Sequence, residues 1–172
     1  SRAHLMLARV LAEHDLEVQA IKEYELAISN RSETVRYRIE FAKWLTTVSR
    51  YRHAARVWTD TLSITNASDY ELRFEIRERL IETLRNHKIL KVTLRKWVAN
   101  LTTSPTDTNA ALMVAMGYMK GQQNQSAIRI LREAQNLAPK HVEVLIYLHA
   151  ALESEGKVDD ALQVLLQLAA VN

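Results

Sequence analysis

Cysteine is absent from this chain of 172 residues, while proline occurs only twice and glycine only three times. A chain without cysteine has neither disulfides nor thiolate metal sites. So few turn-forming residues disfavour a β-rich fold and favour long helices joined by short connections. The sequence also lacks an apolar run of ~18 residues and a signal-peptide pattern, so we expect no membrane insertion by this segment.

An excess of charge of one sign is also missing. Lysine and arginine total 23 against 20 aspartates and glutamates, which gives a net charge of +3. A dedicated nucleic-acid binder usually concentrates much more positive charge on one face. The most abundant residues, Leu, Ala, Arg and Glu, are good helix formers, and 48% of the chain is apolar. An all-α fold with a sizeable core is therefore predicted.

Small residues recur along the chain with a fixed period. Ala20, Ala54, Ala127 and Ala161 are separated by 34, 73 and 34 positions, and Thr93 fills the missing position. Five extra residues must therefore lie near 69–73. A large residue follows each small one after four positions: Tyr24, Trp58, Trp97, Leu131 and Leu165. Another apolar residue precedes it by 13 positions: Leu7, Phe41, Leu80, Val114 and Leu148. Such a period is the signature of a tandem repeat.

Within each unit, apolar residues are spaced by three and four, which predicts two amphipathic helices. We predict helices at 2–14, 18–30, 35–48, 52–65, 69–86, 89–102, 108–120, 125–137, 141–155 and 159–171. Ser68 and Glu71 form a capping-box pattern at the start of the fifth helix. The predicted repeats are 1–34, 35–68, 74–107, 108–141 and 142–172, with the insertion at 69–73.

This pattern resembles the tetratricopeptide repeat (TPR) family over essentially the whole chain. The residues that carry the resemblance are Leu7, Ala8, Leu11, Ala20, Tyr24, Ala27, Val114, Ala115, Tyr118, Ala127, Leu131, Ala134 and Pro139. The resemblance implies a right-handed superhelical solenoid of about five antiparallel helix-turn-helix repeats. Ile81 and His149 stand where the family has a small residue, so we expect slightly splayed joints there. The half-TPR type of RNA-processing factors is the alternative, suggested by Trp44 and Trp58.

The last helix is apolar on nearly all sides, although a complete repeat array normally ends in a polar face. We therefore expect the chain to be a segment of a longer array. Alternatively, helix 159–171 docks on a partner or on a second copy of the chain.

Groups that could perform catalysis do not converge in this sequence. The glycines form no phosphate-binding loop, and no serine stands in a nucleophile elbow. The six histidines do not pair with each other or with carboxylates at a metal-ligand spacing. We expect no catalytic residue, no metal site and no cofactor, and hence no enzyme.

The resemblance implies that the first helix of each repeat lines a concave wall. Residues of these helices not used for packing give a basic, then an acidic, then an apolar zone. The predicted partner-binding residues are Arg2, Arg9, Arg36, Lys43, Glu75, Glu78, Arg79, Glu82, Asn109, Met113, Met116 and Tyr147. Met113 and Met116 are expected to be exposed, the alternative being that they pack the next hairpin. The family's carboxylate clamp of lysines and asparagines is not matched.

The leading hypothesis is a protein-protein interaction scaffold that binds a peptide or partner helix in the concave groove or at the C-terminal edge. It would belong to a larger assembly or secretion-system component, cytoplasmic by default, with the bacterial periplasm as the alternative. The rival is a binder of RNA or acidic polysaccharide through the basic stretch 31–56. That stretch contains Arg31, Arg36, Arg38, Lys43, Arg50, Arg52 and Arg56.

Overall fold

The computed structural model describes residues 2–29 and 34–171. Those residues form ten α-helices joined by short turns and contain no strand. The helices are α1 (Arg2–Glu13), α2 (Glu17–Ile28), α3 (Thr34–Thr47), α4 (Tyr51–Ile64), α5 (Tyr70–Asn86), α6 (Leu90–Thr103), α7 (Thr108–Lys120), α8 (Asn124–Leu137), α9 (Val142–Ser154) and α10 (Val158–Val171). The all-α prediction is confirmed, and each helix boundary lies within two residues of its predicted position.

The first helix of each predicted repeat is followed by the same backbone geometry. In the turn after each of these helices, one residue has a positive φ between 57° and 72°. These residues are Asp15, Ser49, Lys88, Gln122 and Gly156. A residue in this left-handed conformation commonly terminates an α-helix, because it turns the chain and lets following N–H groups reach the last carbonyls. The backbone therefore repeats with the period of the small residues, and the interval between Ser49 and Lys88 is longer than the others by five positions.

The start of α5 differs from the predicted capping box. Asp69 precedes the helix, and its Oδ1 accepts a hydrogen bond from the Leu72 N–H at 3.4 Å. Ser68 instead donates its N–H and its hydroxyl to Oδ1 of Asn66, both at 3.0 Å. Asp69 is therefore the N-cap, one residue later than predicted, because Asn66 binds the serine within the preceding turn.

The chain divides into two compact units, residues 1–84 and 85–172. In the first unit, α1 packs on α2, and α3 packs on both α2 and α4. The small residues of the repeat lie at these contacts, and Ala8, Ala20, Ala42 and Ala54 are completely buried. A side chain of this size lets two helices approach closely, while larger neighbours fill the space beside it.

An aromatic cluster fills the centre of the first unit. The ring of Tyr24 stacks on Phe41 with centroids 4.8 Å apart, and the ring centroid of Trp44 lies 5.4 Å from that of Tyr24. The rings of His53 and Phe41 are nearly perpendicular, with centroids 5.2 Å apart. Each aromatic pair of this kind contributes about 0.5–1.5 kcal/mol beyond the burial of its area. The cluster joins α2, α3 and α4.

A buried arginine of α5 closes the end of α4. Arg73 is 9% exposed, and its Nη1 donates to the carbonyl oxygens of Leu62 and Thr65 at 3.3 and 3.2 Å. The last carbonyls of a helix have no partner within the helix, so a cation placed there satisfies them and interacts favourably with the helix dipole. Arg73 belongs to the predicted insertion 69–73, and this is one structural role of that insertion.

In the second unit, α7 packs on α8 and α9 packs on α10, as antiparallel hairpins of consecutive helices. Helix α8 also contacts α9, and α7 contacts α6 and α9. Residues 111–117 of α7 are buried without interruption. Helix α6 differs from the other second helices, because it has no fully buried residue. Thr93, at its small-residue position, is only half-buried.

Candidate functional site

The predicted concave face of the first unit is built from ion pairs between successive first helices. Arg9 of α1 binds Glu40 of α3 with two hydrogen bonds, Nε to Oε1 at 2.7 Å and Nη2 to Oε2 at 2.6 Å. Lys43 of α3 contacts Glu75 of α5 at 3.3 Å. The partners are 31 and 32 positions apart, and each pair joins two successive first helices. The sequence interpretation did not use this spacing, although it could have identified both pairs.

These contacts change the predicted charge zones. Arg79 also pairs within α5, with Glu82 at 3.3 Å. Arg2 and Arg36 are exposed, and Glu78 is half-buried. Because these positive and negative side chains are paired with each other, the electrostatic potential at this face is weaker than separate basic and acidic zones would produce. The predicted charged residues that lie in ion pairs are Arg9, Lys43, Glu75, Arg79 and Glu82.

Two groups beside Glu40 have altered proton affinity. Burial raises the pKa of Tyr24 to about 12, and the negative charge of Glu40 adds to this effect. The Tyr24 hydroxyl lies 3.5 Å from Glu40 Oε1. The hydrogen bond to Glu40, together with its charge, raises the pKa of Arg9 above its ordinary value. Tyr24 therefore remains neutral and Arg9 charged over the working pH range, which suits a structural role.

The basic stretch 31–56 presents less free charge than its sequence suggests. Arg50 is hydrogen-bonded to Glu17, which raises the pKa of Arg50. Arg56 lies 4.0 Å from Glu25, and Lys43 is held by Glu75. Trp58 is 1% exposed, so its ring is not accessible to a base, and the half-buried Trp44 packs on Tyr24 in the aromatic cluster. Arg31 lies outside the described residues.

The predicted apolar zone in the second unit is not an exposed wall. Met113 and Met116 are only 8% and 1% exposed, and Tyr147 is 1% exposed. The expectation that the two methionines are exposed is therefore wrong. The physical reason is that α7 has three neighbours, α6, α8 and α9, which cover most of its circumference. Among the residues predicted for this zone, Asn109 is exposed.

An exposed apolar surface exists instead on α10. Ala161 and Val164 are buried and face the rest of the unit, whereas Leu162, Leu165 and Leu166 are 54%, 44% and 64% exposed. The exposed leucines are three or four positions apart and therefore form one stripe along the helix. We name Leu162, Leu165, Leu166 and the exposed Ala169 the C-terminal stripe.

A second surface feature was missed by the sequence interpretation. Helix α6, the last turn of α5, the C-terminal part of α7 and the turn that follows α7 line a cavity of about 680 Å³. Its lining includes the cations Arg85, Lys88, Lys91 and Arg95. The sequence feature that could have indicated this cluster of cations is the lack of acidic residues around it, because no Asp or Glu occurs between Glu82 and Asp107.

Within residues 2–29 and 34–171, no three or more His, Asp or Glu side chains are grouped so that they could hold a metal ion. No helix in the same ranges is both long and apolar enough to cross a membrane.

Comparison with solved structures identifies the fold. The chain is similar to the nearly identical TPR-like repeats of a putative kinesin light chain from Podosopora anserina, with 17% identity and a TM-score of 0.50, covering 99% of this chain and 93% of that one. It is also similar to MamA, residue 41 to the end, from Desulfovibrio magneticus RS-1, with 15% identity and a TM-score of 0.50, covering 98% and 94%. No protein-family model and no curated protein matches the sequence. The chain therefore has the fold of tetratricopeptide-repeat proteins.

Proposed function

We propose that this chain is a non-catalytic scaffold that binds a helix of a protein partner, or of an adjoining repeat, along the C-terminal stripe of α10. The observation that supports this proposal most directly is the exposure of three leucines on one side of a helix whose opposite side is buried. Contiguous exposed apolar surface on a soluble protein commonly marks a site of protein interaction.

The repeat itself gives the reason why a helix is the expected occupant. Leu162 and Leu165 stand one repeat after Ile128 and Leu131 of α8, which are 8% and 0% exposed. In α8 those positions are covered because α9 packs on this helix. In α10 the same positions are exposed. A helix could pack on them as α9 packs on α8, and it would be either the first helix of a further repeat or a partner helix with a similar apolar pattern.

The chemistry of the stripe agrees with a helical partner. Its members, at positions 162, 165, 166 and 169, follow the spacing of one face of an α-helix. Helix-in-groove recognition uses the same spacing of apolar anchors on the partner. Asp159 is exposed in the first turn of α10, one turn before Leu162, and would favour a basic residue at the corresponding end of the partner. Asp160 already pairs with Arg132 of α8 at 3.6 Å.

The test compares two charge-matched double variants in a pull-down and in site-specific photo-crosslinking. Leu162→Glu/Leu166→Glu places two carboxylates in the stripe. Gln163→Glu/Ala170→Glu adds the same charge at two exposed positions outside it. We expect the control variant to retain the partners of the wild type, and the stripe variant to lose them with an unchanged far-UV circular dichroism spectrum. Identical partners for both variants would contradict the proposal.

The predicted first-helix surface remains a separate prediction. Arg2 and Arg36 are exposed there and make no ion pair to a carboxylate within the described ranges. A peptide bound at this face would compete with the Arg9–Glu40 and Lys43–Glu75 pairs. Substituting Arg2 and Arg36 by Ser should weaken such a partner and leave binding at the stripe unchanged.

Binding of RNA or acidic polysaccharide through 31–56 also remains a prediction. Such a ligand would have to displace carboxylates from Lys43, Arg50 and Arg56. Its affinity should fall steeply with salt, with a slope set by the number of charges neutralised. Binding at the apolar stripe should respond weakly to salt, so a salt titration separates the two functions.

A further inference from the structure

The cavity beside α6 has a continuous apolar floor. Leu90, Leu94 and Val98 line it and are each half-buried. They stand four residues apart on one helix, so they form a stripe about 12 Å long. Gly117 of α7 lies beneath Leu94, and a Cβ at that position would overlap the leucine side chain. The missing side chain of Gly117 therefore lets Leu94 lie against α7, and this contact forms the base of the cavity.

The rim of the cavity is positively charged. It is lined by Arg85, Lys88, Lys91 and Arg95. Among the described residues, no carboxylate lines the cavity. None of the four makes an ion pair with a carboxylate in the part of the chain that the structure describes. This differs from the first unit, where Arg9 and Arg50 each have a carboxylate partner. The cations of the rim are therefore available to a ligand.

We infer that this cavity binds an acidic segment of a partner protein that carries at least one large apolar side chain. The inference rests on the proposed scaffold function and adds a second contact with a defined chemistry. A cavity of about 680 Å³ lies within the ~300–1,000 Å³ typical of ligand sites. The apolar floor accepts the anchor, and the rim accepts carboxylates on either side of it. Complementary charge around a buried apolar anchor gives such a contact its specificity.

Other occupants fit the same features less well. A fatty acid carries one carboxylate and would leave most of the four cations without a partner. RNA would use the cations but would gain little from an aliphatic floor, because base recognition depends on aromatic stacking. Tyr118 is the one aromatic residue that the described part of the chain contributes to the lining. An acidic peptide with an apolar anchor uses both parts of the site.

The experiment is a selection from a peptide library displayed on phage, with the whole chain as bait. Wild type is compared with Lys91→Glu/Arg95→Glu, which reverses half of the rim. The control, Arg129→Glu/Lys140→Glu, makes the same charge change at exposed residues of the second unit away from the cavity. We expect wild type and control to enrich peptides that combine Asp or Glu with Leu, Phe or Trp, and the rim variant not to enrich them.

A titration of one enriched peptide then measures the effect. We expect the rim variant to bind it at least about tenfold more weakly and the control within about twofold. The peptide should shift the amide resonances of Gly117 and Gly121, which line the cavity. Replacing its apolar residue by Ser, or its acidic residues by Gln, should each reduce binding.

Three results would overturn the inference. One is enrichment of acidic peptides without an apolar residue, which would indicate a general polyanion site. Another is equal binding by the rim variant. The last is displacement of the peptide by decanoate at equal concentration, which would indicate a fatty-acid site. The stripe variant Leu162→Glu/Leu166→Glu should bind the peptide normally, so failure here and failure of the proposed function give different results.

Discussion

Leu131 and Leu165 occupy the same position in two consecutive repeats, but Leu131 is completely buried and Leu165 is 44% exposed. The side chains are identical and both follow a small residue by four positions on a second helix. Their different exposure arises because α9 packs on α8, whereas no described helix packs on the outer side of α10. The same repeat position is therefore part of the core in α8 and part of the exposed surface in α10.

Truncation of these two leucines should have different costs. Leu131→Ala should lower the free energy of unfolding by about 3 kcal/mol, because it removes buried methyl groups and leaves a cavity. Leu165→Ala should lower it by less than about 1 kcal/mol, since much of the side chain already contacts solvent. Urea denaturation followed by circular dichroism measures both values. Equal losses would show that Leu165 is buried in solution, for example in a dimer.

The small-residue positions give a second prediction. Ala127 is completely buried where α8 packs in the second unit, so Ala127→Leu should destabilise the fold by about 1–3 kcal/mol through overpacking. Ala99→Leu makes the same change at an exposed position of α6 and should stay within about 0.5 kcal/mol of wild type. Thermal unfolding of the two variants checks this. A similar stability for both would mean that the alanine period does not mark helix contacts.

Gly156 allows the effect of backbone conformation to be measured separately. Its φ is +72°, and a Cβ there would meet no atom within 4 Å. Gly156→Ala should therefore cost about 1 kcal/mol from the left-handed conformation alone, without a steric clash. Gly121 has a φ of −88°, which alanine adopts readily, so Gly121→Ala should be neutral or slightly stabilising. Chemical denaturation should distinguish them, and a neutral Gly156→Ala would contradict the assigned turn.

His53 should make stability depend on pH. Burial lowers the pKa of His53 from its ordinary value of 6.5, the charge of Arg56 lowers it further, and Glu25 acts in the opposite direction. The folded state therefore binds this proton more weakly than the unfolded chain. The resulting stability is fully present above pH 6.5 and is lost as pH falls from 6.5 through the folded pKa.

The variant His53→Gln should remove that component. Between about pH 7.5 and about pH 5.5, the urea midpoint should fall more for the wild type than for the variant. Phe41, Arg56 and Glu25 surround the imidazole and remain unchanged in this comparison. An equal fall in both proteins would show that His53 does not contribute to the pH dependence.

Much of the fold could be predicted because it depends on local spacing. The positions of Ala20, Ala54, Ala127 and Ala161 indicated the period and located five extra residues. The left-handed residues that end the first helices have the corresponding separations. The start of α5 was predicted one residue early, since the competing hydrogen bonds of Ser68 depend on turn geometry. Helix period is encoded by neighbouring residues, whereas the choice between two adjacent caps is not.

The candidate surfaces were predicted less well. Met113 and Met116 lie on a first helix and satisfied the pattern of wall residues, but their burial depends on how many helices surround α7. The pairing of Arg9 with Glu40 joins two repeats, so it requires two helices to lie side by side. The cavity at α6 depends on a glycine and a leucine being brought together from different helices.

The sequence alone determined that the chain is a tandem array of helical hairpins with a fixed period. It also determined that the last helix has more apolar faces than one neighbouring helix can cover. Only the tertiary structure decided which apolar side chains remain accessible, which charges neutralise each other and where a cavity remains. The physical reason is that a helix forms from interactions three and four residues apart, whereas exposure depends on every helix packed around a residue.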